Sequence, residues 1–304
     1  MSPAQLKAIA IGVALLLVVW GASELAWRHP ERPAAAVRLP PLAAADVDTV
    51  AIVHGAETIL LARQDSARWT VNGFAAAVSG VNELLEALRD SAVPELAAED
   101  PSSFSRMGVD STAGRIVRVS GHGRGLITLI VGGPGPGFDA FYYRLPGDKR
   151  VNLWHGQLAT LAARPVNDWR DHTIAAVLPD SIAEILVQRG AARLLLRKQG
   201  TKWTLAGGGP VDSAAAARLV ESFRGITATG FATDRQADSL RRIHPERRVV
   251  VRGSGQRELL ALALDSTPGG FWVRRGGTIY QLDSWHASQL TPTRATLQPA
   301  AHGK

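Results

Sequence analysis

The chain has 304 residues, 46% hydrophobic and 20% charged, which excludes wholesale disorder and leaves room for one large domain or two ordinary ones. Its 34 basic and 27 acidic residues give a formal charge of +7, a mild excess that favours anionic surfaces such as lipid headgroups. There is no cysteine, so disulfides, thiolate metal sites and cysteine nucleophiles are excluded.

From the N-terminus, Lys7 precedes an uncharged run from Ala8 to Ala22. Its apolar body is Ile9, Ile11, Val13, Leu15, Leu16, Leu17, Val18, Val19 and Trp20. Crossing a bilayer takes about 20 helical residues, and the window 8–27 reaches that with Glu24 near the headgroups and Trp20 and Trp27 at the interface. The expectation for 1–27 is an N-terminal segment with an uncleaved single-pass membrane anchor. A cleaved signal peptide is the alternative, since the apolar core is short and small residues follow it. Cleavage after Ala22 would place Trp20 where a small residue belongs, which leaves cleavage after Gly21 or Ser23. Arg28 and Arg32 nearly balance Lys7, so charge sets no orientation. Export to the periplasmic side of a bacterial inner membrane is expected because this is the single apolar segment and it is signal-like in form.

Residues 28–45 contain Pro30, Pro33, Pro40 and Pro41, a density that favours an extended Pro/Ala-rich stalk. Roughly 16 residues at about 3.1 Å each would hold the body up to about 50 Å from the bilayer.

The remainder reads as an internal repeat. Arg63 to Gly73 and Arg197 to Gly207 both place Trp-Thr-aliphatic after a polar turn, with the tryptophans at Trp69 and Trp203. Upstream of each lie two β-rich runs joined at Gly55 or Gly190. Downstream, Val81, Leu84, Leu85 and Leu88 recur as Ala216, Leu219, Val220 and Phe223, the apolar stripe of a helix, with Ser79 and Asp212 as candidate N-caps. Two strand-like runs around a glycine turn follow in each copy, then a hairpin whose aromatic residues precede Arg144 or Arg274. Trp154-His155 and Trp285-His286 close the two copies. Strand connections this short favour antiparallel pairing. The expected fold class is α+β: an N-terminal transmembrane helix, then two tandem similar units of mainly antiparallel sheet with one or two helices each. The expected spans are 46–174 and 175–298, with 299–304 as a flexible tail.

The order of these features resembles a bacterial family of membrane-anchored proteins, domain of unknown function 4340, associated with gliding-motility-type ABC transporter components. The matching residues are Trp69-Thr70, the helix at Val81 to Leu88, the segment Asp100 to Asp110, and the hairpin Phe141-Tyr142-Tyr143-Arg144 with Val151-Asn152-Leu153. Asp168-Trp169-Arg170-Asp171 completes the match. The second copy departs from it, with Leu240 to Pro245 standing where the first has Phe104 to Asp110. The resemblance implies an envelope-facing accessory or scaffold of a transport system, and it brings no catalytic residues.

Chemistry-bearing motifs are few. The run Val131 to Gly137, four glycines among seven residues, looks like a phosphate loop, but no lysine follows, Pro134 and Pro136 remove N–H donors, and a strand follows where a helix is needed. Its counterpart, Asp265 to Gly270, differs in composition between similar strands, which favours a hairpin connection. The eight histidines have no metal-ligand spacing, although His155 and His286 occupy matching places; packing or helix entry is the other reading. Asp168 and Asp171 read either as paired carboxylates or as a capped, salt-bridged junction between copies. Arg241, Arg242, Arg247, Arg248 and Arg252 form a candidate patch for an anionic partner, such as glycan or lipid; the alternative is a solvated loop and strand edge. Trp69 and Trp203 read as core anchors. No catalytic residue, metal or cofactor is expected, nor a nucleic-acid partner, and the oligomeric state is left open. The leading expectation is a non-enzymatic envelope protein that binds an ABC-type transport complex. Binding of an anionic envelope glycan or lipid comes second, and an enzyme with a site between the repeats third.

Overall fold

The structure is a computed structural model that describes residues 36–37, 39–89 and 93–299. The expected anchor at 8–27, most of the proximal stalk and the tail from 300 lie outside the described residues. Among the described residues, no helix is long and apolar enough to cross a membrane.

The chain is sheet-rich α+β. It begins with β1 (Thr49–His54), β2 (Glu57–Arg63), β3 (Trp69–Val71), β4 (Phe74–Ala75) and α1 (Val78–Arg89). Next come β5 (Glu95–Ala98), α2 (Phe104–Met107), β6 (Arg115–Gly121), β7 (Arg124–Pro134), β8 (Ala140–Arg144), β9 (Val151–His155) and α3 (Leu158–Ala162). After β10 (Thr173–Ala175), the chain forms β11 (Glu184–Arg189), β12 (Ala192–Gln199), β13 (Lys202–Leu205) and α4 (Ser213–Glu221). Then follow β14 (Ile226–Thr227), β15 (Gly230–Phe231), α5 (Asp234–Leu240), β16 (Arg247–Arg252), β17 (Glu258–Thr267), β18 (Gly270–Arg275) and β19 (Thr278–Leu282). Helices α6 (Ser284–Leu290) and α7 (Arg294–Leu297) close it.

By compactness the chain divides into two units. The first takes residues up to Thr58 together with Glu86–Ala163; the second takes Ile59–Leu85 together with Arg164 onward. These spans differ from the expected 46–174 and 175–298, because Ile59–Leu85 groups with later residues.

In the first unit the strands follow the order β1-β6-β7-β8-β9-β5, antiparallel throughout. Alternation places Val117 and Val119 of β6 fully inside and leaves Arg118 exposed between them. The other face of β7 carries Ile130, covered by Met107 and Val109 at the end of α2. Gly132 permits that approach, since a Cβ there would lie 2.5 Å from the Met107 carbonyl oxygen. The glycine run is thus part turn and part packing surface. Pro134 pairs with Phe141, Gly135 N–H donates to the Ala140 carbonyl at 2.7 Å, and Gly137 takes a φ of 101° at the tip.

The distal stalk is fastened to this unit rather than free. Tyr143 Oη donates to the Val37 carbonyl at 2.7 Å, and Val37 N–H donates to Asn152 Oδ1 at 3.1 Å. Burial pushes the Tyr143 hydroxyl up to about 12, so it remains a donor across the neutral range.

The second unit holds the β2-β3-β4 meander, the β10–β14 pair and a sheet ordered β13-β12-β11-β16-β17-β18-β19-β15. Six strands here, β11-β16-β17-β18-β19-β15, stand in the same order as the six of the first unit. Leu260, Leu262 and Leu264 of β17 alternate into a core shared with Leu219 and Phe223. Ala237 and Leu240 of α5 cover Ile279 on a separate patch. Asp212 caps α4 as expected, its carboxylate accepting Ala215 N–H at 2.7 Å. Ser79, by contrast, lies inside α1, which begins at Val78.

Candidate binding surface

The structure places the five arginines of the expected patch in different surroundings. The strand carrying Arg247, Arg248 and Arg252 is interior, paired with β11 on one side and β17 on the other, so it is not a strand edge. Its Val249, Val250 and Val251 are all buried, as a strand covered on both faces requires. Arg252 Nη1 donates to Glu184 Oε1 at 2.7 Å, and Arg197 Nε donates to Glu184 Oε2 at 2.8 Å. These donors, led by Arg197, hold the Glu184 carboxyl below its ordinary 4.5. Arg247 lies 4.3 Å over the Phe271 ring and donates to Thr291 Oγ1 at 3.0 Å. Arg241 pairs with Asp238 at 3.0 Å. Arg242 and Arg248 are exposed and have no ion pair among the described residues. Arg248 also lines a cavity of about 230 Å³ with Gln188, Gly190, His244, Pro245 and Glu246. Two of the five arginines, then, are available to a partner.

The matched Trp-His pairs differ in setting. Trp154 is buried in β9, stacked 6.0 Å from Phe141, and His155 Nδ1 lies 3.1 Å from Asp139 Oδ1. Trp285 and His286 instead occupy the first turn of α6, because Asp283 caps it by accepting both their N–H groups at 3.0 Å. Each histidine pairs with one aspartate, and no group of three metal-ligating side chains occurs among the described residues.

The segment Asp168 to Asp171 clamps onto the β4–α1 corner. Trp169 is fully buried; its carbonyl accepts Ala77 N–H at 2.8 Å, and Asp171 N–H donates to the Ala75 carbonyl at 2.8 Å. Arg164 reinforces this with Glu83 at 2.8 Å. Neither Asp168 nor Asp171 joins an ion pair among the described residues; Asp171 Oδ1 accepts Thr173 N–H at 2.9 Å in a local turn. The clamp is built from backbone hydrogen bonds, a buried tryptophan and the Arg164–Glu83 pair, and not from salt bridges of Asp168 and Asp171. Arg170 lies between Phe74 and Phe231, and burial lowers its pKa.

A surface not foreseen from the sequence lies on the helices of the second unit. Trp285 is 64% exposed and lines a groove of about 340 Å³ with Arg218, Leu219, Gln289, Pro292 and Leu297. The local signal was legible: Ala287 and Leu290, three apart, are the buried stripe of α6, and Trp285 is two positions off it, on the opposite side. Tryptophan and arginine at a groove are the residue types that carry binding energy at protein interfaces. Trp69 and Trp203 are the contrasting case: Trp69 is buried, and Trp203 packs partly buried against the second core.

The family described as Domain of unknown function (DUF4340) matches residues 69–245, from the start of β3 to the turn before β16. No curated protein and no solved structure matches the chain.

Proposed function

The chain belongs to the domain-of-unknown-function family DUF4340, and from that premise we propose that it is a non-enzymatic, membrane-tethered accessory or scaffold protein. In this reading residues 8–27 anchor it in a bacterial inner membrane, the body lies on the periplasmic side, and it binds a protein subunit of an ABC-type transport complex. The observation that carries a protein partner is Trp285, an exposed aromatic beside an apolar groove edged by Arg218. We also infer that the body is a duplication, a reading supported by the common order of β1-β6-β7-β8-β9-β5 and β11-β16-β17-β18-β19-β15.

The test is affinity capture from gently solubilised membranes. Co-recovery of the permease or ATPase subunit is expected from the wild type, with loss of that subunit in Trp285→Ala at unchanged stability. Recovery of the protein alone would overturn the reading.

A second reading, an anionic envelope glycan or lipid headgroup as ligand, is favoured by Arg242 and Arg248 being free of ion pairs among the described residues. Replacing both with glutamine should abolish salt-sensitive binding to vesicles containing phosphatidylglycerol; unchanged binding would exclude it.

A further inference from the structure

The β11–β12 hairpin closes tightly, with Arg189 paired to Ala192 and Gly190 at a φ of 55°. Pro292 and Thr293 of the linker from α6 to α7, with Arg294 at the start of α7, lie against it, and together they leave a cavity of about 280 Å³. Its apolar lining includes Val187 and Leu194, which are 1% and 9% exposed, and Pro292. Three arginines line it as well, Arg189, Arg193 and Arg294, and among the described residues no aspartate or glutamate does.

The hydrogen bonds around the cavity position these cations without neutralising them. Arg189 Nη1 donates to the Thr291 carbonyl at 3.5 Å, and Arg294 Nη2 donates to the Gly208 carbonyl. Both acceptors are neutral. Arg193 is exposed and has no ion pair among the described residues. Thr291, 1% exposed, ties the rim together: its hydroxyl donates to the Ala287 carbonyl at 2.7 Å and accepts from Arg247 Nη1 at 3.0 Å.

An apolar hollow with only cations among its charged groups discriminates between ligand classes. A wholly polar anion would leave the Val187 and Leu194 surface unused. A neutral apolar molecule would gain that burial but leave three positive charges without a counter-ion. A molecule with both parts satisfies both demands, since guanidinium forks grip carboxylate or phosphate oxygens while the tail leaves water. We propose that this cavity is a binding site for a small anionic amphiphile, an alkyl carboxylate or alkyl phosphate. The site shares no residue with the free pair Arg242 and Arg248, and it does not depend on a transport partner.

The experiment is photo-crosslinking of the full chain in its membrane with three diazirine-tagged probes: octanoate, octyl phosphate and octanol. Labelling of peptides spanning Val187–Leu194 and Pro292–Arg294 by an anionic probe is expected, with about tenfold less from the alcohol. The carboxylate and phosphate arms identify which headgroup is preferred. Arg193→Gln combined with Arg294→Gln should cut labelling by about tenfold, and Ala192→Trp, which fills the mouth, should do the same. The wild-type comparison of anion with alcohol stands even if a variant folds poorly. Equal labelling by the alcohol, unchanged labelling in the folded double variant, or label confined to other peptides would overturn the proposal. Loss of label on replacing Arg242 and Arg248 instead would also overturn it.

Discussion

The guanidinium carbon of Arg170 lies 3.7 Å from the centroid of the Phe231 ring, with Phe74 at 3.9 Å. Arg170 is 7% exposed and its Nε has no hydrogen-bond partner among the described residues. Cation–π attraction and packing of the side-chain stem favour this arrangement, while desolvation of the charge opposes it. The side chain is buried between two aromatic rings, so packing should dominate. Arg170→Ala is expected to cost about 3 kcal/mol, and Arg170→Met about 1 kcal/mol or less. Urea unfolding followed by tryptophan fluorescence measures both; equal losses would assign the stability to the charge instead.

Adjacent glycines in β7 should respond oppositely to one added methyl group. A Cβ at Gly132 would lie 2.5 Å from both the Met107 carbonyl oxygen and Val109 Cγ1, whereas at Gly133 the nearest atom is 3.6 Å away. Gly132→Ala is expected to cost about 2 kcal/mol through overpacking, and Gly133→Ala to be neutral or slightly stabilising through reduced unfolded-state entropy. Thermal unfolding of the two variants decides it, and a tolerated Gly132→Ala would contradict the close approach of α2 to β7.

Attachment of the stalk through Tyr143 is open to protease mapping. Tyr143→Phe removes the donor to the Val37 carbonyl, a bond of 2.7 Å. At about 1 kcal/mol for such a bond, trypsin cleavage after Arg38 should accelerate by about fivefold. Mass spectrometry of a digestion time course reads the rate; no change would show that Asn152 alone holds the segment.

Glu184 makes stability depend on acid. Its folded pKa lies below the ordinary 4.5, chiefly because Arg197 donates to it. A lowered carboxylate pKa contributes stability that is full above the unfolded value and is lost as pH falls through the folded value. The wild type should therefore exceed Glu184→Gln in stability at neutral pH, and the gap should close below about pH 4.5. Unfolding midpoints of both proteins across that range test it, and a constant gap would sink the linkage.

Much of the secondary structure was legible because local chemistry dictates it. Gly55 and Gly190 mark hairpins and take φ values of 57° and 55°, and Val81, Leu84, Leu85 and Leu88 show their helical spacing as a buried stripe. Two short helical turns lack a long apolar stripe, but their caps are written in the chain. Asp100 before Pro101 accepts Ser102 N–H, and Thr233 with Gln236 forms a capping box.

The candidate sites were less legible, since charge in a sequence does not reveal its counter-charge in space. Arg252 and Arg248 read alike in one basic run, but cross-strand register sets Arg252 opposite Glu184 and Arg248 opposite Gln188. Likewise Arg144 and Arg274 follow matching aromatic strands, and both donate to a carbonyl of the loop beyond a short helix, Val109 or Ile243. Their acidic surroundings still differ, because only Arg274 also grips a buried aspartate, Asp265, at 2.5 Å.

The sequence by itself determined the strands, the main helices, the turn character of the glycine run and the repeated order of elements, all governed by periodicities of two to four residues. Tertiary structure alone decided which arginines are spent on Glu184, Asp238 and Glu246, which tryptophan faces solvent, and that Val37 is fastened to Tyr143. Those outcomes depend on contacts between residues far apart in the chain, and on the low cost of pairing a charge compared with burying it alone.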